Sequence, residues 1–307
     1  MEHLVMKPKS RIFRHPLILA LLCALLCAGC SDDRAVVRIF DLADPSESGG
    51  DTVLVTPAFG LRISEFDTVP TRSASDASGT VPADPGAVVH LLVYPAGSTP
   101  DENRCFYRGL YRTGKYGNLV PVYNDIRLPE GEYDLYMLSV CDSTADLIPS
   151  FDPLTGISDY VYNGIDYVWG KRERIRIDRN DTDTIPFTLA HSCVRMEFEF
   201  VSPSGDTVTA ATLSAPTPSE VSWAVTTGLM DPALTHADSL PLPLSGNRSY
   251  AIVLPLQTEE ELPLRYSTLR HPDPRVVLLP APPGGLFRPG GICSYTVTVP
   301  DEEERHP

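Results

Sequence analysis

The thirty prolines of this chain constrain its fold more than any other feature. Proline lacks a backbone N–H and its ring clashes with the preceding helical turn, so each one ends or kinks a helix. Nearly all of them lie beyond residue 30, and few windows between them are long enough for a helix. Those windows carry Thr-, Val- and Tyr-rich runs, the composition of strands. Residues 88–94, Val-Val-His-Leu-Leu-Val-Tyr, are nearly all apolar and read as a central buried strand. Residues 192–200 show the cleanest alternation. Ser192, Val194, Met196, Phe198 and Phe200 face one way, and Cys193, Arg195, Glu197 and Glu199 the other, which predicts core on one side and water on the other. About fourteen strand-like runs follow one another, whereas a single sandwich uses about seven to nine. The expected fold is therefore all-β, with two tandem β-sandwich domains at 51–180 and 181–300 that meet at the turn near Asn180, followed by a charged tail at 301–307.

The first fifty residues read differently. Lys7, Lys9, Arg11 and Arg14 precede an apolar run at 17–28, the plan of a secretory signal. At roughly 12 residues that run is shorter than the about 20 needed to span a bilayer. It closes on Leu26-Cys27-Ala28-Gly29-Cys30, which resembles a bacterial lipobox with Cys27 where leucine is usual. On this reading residues 1–29 are a lipoprotein signal peptide, Cys30 takes the lipid and residues 30–50 are a flexible tether. Ser31, Asp32 and Asp33 then stand where surface lipoproteins of the Bacteroidota carry a short acidic export signal. The expected location is the outer membrane, lipid-anchored through acylated Cys30 and exposed at the cell surface.

Charge narrows the partners. The leader holds four basic residues and Glu2, so without it the 25 basic and 40 acidic residues become 21 and 39, a formal charge of −18. Such a chain repels phosphate backbones, which excludes nucleic acid as an expected partner. Cys105, Cys141, Cys193 and Cys293 remain beyond the lipidation site, in an oxidising compartment and without C-x-x-C spacing. They are disulfide or free-thiol candidates with three pairings open. Cys293 shares a strand face with Tyr295, Val297 and Val299, which suits a buried free thiol; Cys193 alternates with the apolar face, which suits a bridge or an exposed thiol.

Motifs for catalysis are absent: no G-x-S-x-G, H-E-x-x-H, P-loop or G-x-G-x-x-G occurs after the leader. His90, His191, His236 and His271 lack partners at metal-ligand spacing, and His191 beside Cys193 reads as a strand-end histidine. The cluster from Asp178 to Asp183 lacks the glycine and distal glutamate of a calcium loop, so a solvated turn is expected. No enzyme activity, cofactor or metal is expected. Asp51-Thr-Val, Asp67-Thr-Val, Asp183-Thr-Ile, Asp206-Thr-Val and Asp238-Ser-Leu are similar to an O-glycan acceptor motif. Tyr160, Tyr162, Tyr167 and Trp169 could either form a sugar-stacking platform or pack a hairpin onto the core.

A set of motifs in order carries a resemblance. After the lipobox come Thr71-Arg72, Pro129-Glu-Gly-Glu-Tyr-Asp-Leu-Tyr136, Asp166-Tyr-Val-Trp-Gly170 and Phe187-Thr-Leu-Ala-His191. Val253-Leu-Pro-Leu256, Phe287-Arg-Pro-Gly290 and Tyr295-Thr-Val-Thr-Val299 complete it. In this the chain resembles the fimbrillin-like lipoproteins of the Bacteroidota, the group of type V pilus subunits and anchors. The resemblance implies sandwiches of transthyretin-like (Greek-key) topology and assembly by strand exchange. It makes residues 52–63 the removable strand and Arg72 the candidate protease cleavage site, with Arg62 a second choice. It also implies a pilus subunit, anchor or tip adhesin whose partners are other fimbrial subunits and a host or bacterial surface receptor. The alternative from another class is a glycan-binding surface lipoprotein of a polysaccharide-uptake system.

Overall fold

The computed structural model describes residues 54–67, 79–98, 107–144, 147–152, 155–180, 183–219, 221–231 and 234–300. The leader, Cys30, Ser31, Asp32, Asp33, the tether, Arg72, Cys105 and the 301–307 tail lie outside the described residues.

The first half forms β1 (Leu54–Val55), β2 (Phe59–Ser64), β3 (Thr80–Pro82), β4 (Val88–Pro95) and β5 (Tyr107–Thr113). It continues with β6 (Leu119–Pro121), β7 (Leu128–Pro129), β8 (Gly131–Ser139), β9 (Val168–Ile177) and β10 (Ile185–His191). The second half begins with β11 (Val194–Val201), β12 (Val208–Ser219), β13 (Ser222–Trp223), β14 (Met230–Asp231), β15 (Leu234–Pro241) and β16 (Leu244–Ser245). It ends with β17 (Arg248–Val253), β18 (Leu256–Gln257), β19 (Leu262–Thr268), β20 (Arg275–Leu279), β21 (Leu286–Phe287) and β22 (Ile292–Thr298). The protein is all-β, and no helix among the described residues is long and apolar enough to cross a membrane.

One eight-stranded sheet, in the order β3-β2-β10-β9-β8-β4-β5-β6, organises the first half. Its seam between β10 and β9 is two residue pairs long, Ala190 with Trp169 and His191 with Val168. The sheet folds over at that seam and encloses one core. Phe59, Leu61, Phe187 and Leu189 enter it from one layer, and Leu91, Val93, Leu135 and Met137 from the other. The turn before β6 reaches back to β2, where the Leu61 N–H donates to Gly117 O at 2.7 Å. A second core fills the space between two four-stranded sheets, β16-β17-β11-β22 and β15-β12-β19-β20. Val194, Met196, Phe198 and Phe200 of β11 face that core, as their alternation predicts.

Two features depart from the sequence reading. The turn near Asn180 is not where the sheets change. β10 runs parallel to β2 over five residue pairs, from Ile185 with Phe59 to Leu189 with Ile63, so the sheet system switches between His191 and Val194. A third core also lies on the outer face of β4 and β8. Leu92, Tyr94, Tyr136 and Leu138 are covered there by Phe151, Val161, Tyr167, Val221, Trp223 and Leu254. The near-continuous apolar run of β4 reflects this burial on both faces.

Candidate functional site at the first long strand

The strand β2 joins local alternation to distant partners. Phe59, Leu61 and Ile63 are at most 7% exposed, and burying each stabilises the fold by about 1.5–3 kcal/mol. The Phe59 ring meets Tyr111 edge-on at 6.2 Å and Phe187 at 6.3 Å. One side of β2 bonds in parallel to β10, while Arg62–Ser64 pair antiparallel with β3 on the other. Gly117 lets the turn before β6 reach β2: its φ is +78°, and a Cβ there would run into the Leu61 carbonyl oxygen.

Arg62 stands mid-strand. Its Nε donates to Thr80 Oγ1 at 2.8 Å and its Nη2 to Thr80 O at 2.6 Å. A protease needs several residues freed from pairing, so Arg62 is poorly placed for cleavage. Arg72 falls in the 68–78 stretch outside the described residues.

The exit of β2 is tied to three elements. Glu65 N–H donates to Gly79 O at 2.9 Å. The Phe66 ring stacks on His191 with centroids 3.7 Å apart, and His191 Nδ1 lies 2.8 Å from the Asp166 carboxylate. Asp67 N–H donates to Gly290 O at 2.7 Å and Asp67 O accepts the Ile292 N–H at 3.0 Å. Two motifs singled out in the sequence, at 166–170 and 187–191, thus converge through Asp166 and His191. Phe66, Asp67 as a backbone-pairing residue (it entered only within an O-glycan acceptor motif) and Gly117 escaped the sequence reading. The signal for the first two was their place directly after the alternating run; for Gly117 it was the Gly117-Asn118 turn dipeptide.

The described thiols are free. Cys193 is fully buried, contrary to the expectation of a bridge or an exposed thiol, because the third core covers that end of β11. Burial pushes the Cys141 and Cys193 thiols up to about 12, with the Asp166 carboxylate adding to both. Cys293 packs against the second core, and burial raises it too. Such thiols stay protonated and poorly nucleophilic at neutral pH. Asp178 spends its carboxylate on the Asn180 N–H, Asn180 Nδ2 and Arg176, and no group of three His, Cys, Asp or Glu among the described residues could hold a metal ion. Of the Asp-Thr/Ser motifs, Thr184, Thr207 and Ser239 are exposed.

The four aromatic residues divide. Tyr167 is buried against Trp223, and Trp169 is half-buried with its indole N–H donating to Val225 O at 2.7 Å. Tyr160 and Tyr162 are 48% and 62% exposed. A separate groove of about 590 Å³ overlies the outer face of β11 and β17, but its charges are mutually paired, Arg195 with Glu197 at 2.9 Å and Arg248 with Glu199 at 3.0 Å.

No family model and no curated protein matches the chain. Solved structures do. A putative cell adhesion protein from Bacteroides ovatus aligns at 17% identity over 80% of this chain and 92% of its own, with a TM-score of 0.56. A putative cell adhesion protein from Bacteroides uniformis aligns at 16% identity over 79% and 92%, with a TM-score of 0.54. The tip fimbrial protein Mfa3 from Porphyromonas gingivalis, with C-terminal truncation, aligns at 12% identity over 80% and 97%, with a TM-score of 0.42. At such identities the first two likenesses establish fold: the chain shares the all-β architecture of these Bacteroides proteins, which is the architecture its fimbrillin-like resemblance implies.

Proposed function

We propose that this protein is a non-enzymatic cell-surface lipoprotein, a fimbrillin-like pilus subunit, anchor or tip adhesin that assembles with other fimbrial subunits by exchanging β2. Export would end with lipid on Cys30 and the Ser31-Asp32-Asp33 signal behind it. Cleavage at Arg72 would then free residues up to that point.

The observation that carries this reading is the seat of β2. The strand arrives early in the chain, yet it lies between β10 and β3 and plugs one core with Phe59, Leu61 and Ile63. Its removal would leave unpaired backbone groups on two neighbours and an apolar slot between them. Both demand a replacement strand with apolar residues at every second position. The fold likeness to adhesion proteins of Bacteroides supports the same reading.

The test uses the mature chain, an arginine-specific protease and size-exclusion chromatography. A new N-terminus at Ser73 with growth into strand-exchanged oligomers is expected, and Arg72→Ala should abolish both. Cleavage after Arg72 that yields only monomers retaining residues 54–67 would overturn exchange of β2. Lipid attachment is tested by mass spectrometry of the exported form, with loss of the acyl mass expected in Cys30→Ala.

A further inference from the structure

The segment 159–162 alternates, and its neighbours fix which way it faces. Val161 is 2% exposed and part of the third core, and its N–H donates to Val221 O at 3.0 Å. Side chains one position either side of it must point the opposite way, which turns Tyr160 and Tyr162 outward.

The backbone beneath them is held on both flanks. Asp159 N–H donates to Ser150 O at 2.8 Å, and Gly164 N–H to Ile252 O at 2.9 Å. Tyr162 N–H donates to the Tyr167 hydroxyl at 3.2 Å, and Asn163 Oδ1 accepts the Leu254 N–H at 2.8 Å. Ser158 pairs with Trp223 through two bonds, its Oγ accepting the Trp223 N–H and its own N–H donating to Trp223 O. Two large rings therefore stand in solvent on a preorganised base, where rigidity lowers the entropy lost on binding.

Between these rings and residues 148–150 opens a cavity of about 630 Å³, within the size range of small-molecule sites. Ile148 and Pro149 give it an apolar wall, and Ser150 and Asp159 a polar one. No described residue occupies the Asp159 carboxylate through its side chain.

We propose that Tyr160, Tyr162 and Asp159 form a binding site for a neutral saccharide. A sugar ring presents C–H groups on its face and hydroxyls around its edge. The negative faces of the two phenol rings suit the first, and a free carboxylate, which only accepts hydrogen bonds, suits the second. Asp159 is the sole carboxylate among the described lining residues, and the chain carries a net charge of −15, so an anionic glycan is repelled. The site gives the adhesive reading a ligand class, yet it does not need strand exchange, and the two fail separately.

The experiment is affinity electrophoresis of the mature Arg72→Ala chain through gels containing an α-glucan, a β-glucan, a galactomannan or, as anionic control, polygalacturonate. Retardation by at least one neutral polymer and none by polygalacturonate is expected. Tyr160→Ala and Tyr162→Ala should each weaken it tenfold or more, while the phenylalanine variants stay within about threefold. Both tyrosines are exposed, so unchanged melting temperatures will show that the variants fold. No retardation by any neutral polymer would overturn the proposal. So would stronger retention by polygalacturonate, or retention that survives the double alanine variant.

Discussion

Phe66 lies flat against the imidazole of His191, with ring centroids 3.7 Å apart and planes 16° from parallel. The contact ties the exit of the early strand β2 to the last residue of β10, beside the point where the sheet systems change. Aromatic pairs of this kind contribute about 0.5–1.5 kcal/mol beyond their area. Phe66→Ala should therefore lower unfolding free energy by roughly that amount plus the lost burial. Amide exchange at Asp67, whose N–H donates to Gly290 O, and at Ile292, whose N–H donates to Asp67 O, should accelerate first. Exchange that rises uniformly across the chain would show that the stack is not a local latch.

The seat of β2 makes a second prediction. Leu61 is 2% exposed in the first core, and Leu61→Ala should cost about 2–5 kcal/mol in urea unfolding. Gly117→Ala should also destabilise, since it combines a positive φ with a collision against the Leu61 carbonyl. The two losses should fall short of additive, because both act on one contact.

His90 sets an acid limit. Its Nδ1 is covered and without a hydrogen bond, with Phe151 edge-on at 6.4 Å. Burial, and then the charge of Arg108, lower its pKa from 6.5 to about 4. Between those values the unfolded chain binds the proton more readily than the folded one, so stability falls as pH drops from about 6.5 toward about 4. Denaturant midpoints measured from pH 7 to pH 4 should lose part of their slope in His90→Leu. An unchanged slope would assign the acid loss to carboxylates.

Thiol chemistry offers a fourth. Burial holds Cys141 and Cys193 near 12, so neither should be alkylated in the folded protein at pH 8, and both should react once urea unfolds it. Site-resolved mass spectrometry reads this directly. Rapid labelling of native Cys193 would contradict its place in the third core.

Much of this fold is legible in the order of the residues alone. The alternation of residues 192–200 places Val194, Met196, Phe198 and Phe200 in a core, and the apolar run at 88–94 marks a buried central strand, because a strand's two-residue period is a property of its own backbone. The prolines exclude a helical fold for the same local reason. Only the tertiary structure could decide that β10 crosses the Asn180 turn to lie parallel to β2, that Cys193 is covered, and that Tyr167 turns inward while Tyr160 and Tyr162 face solvent. Each of those outcomes depends on a partner far along the chain, such as Phe59 for Ile185 or Trp223 for Tyr167. A local pattern states which residues can be buried together; the free energy that selects the burying partner belongs to the assembled fold.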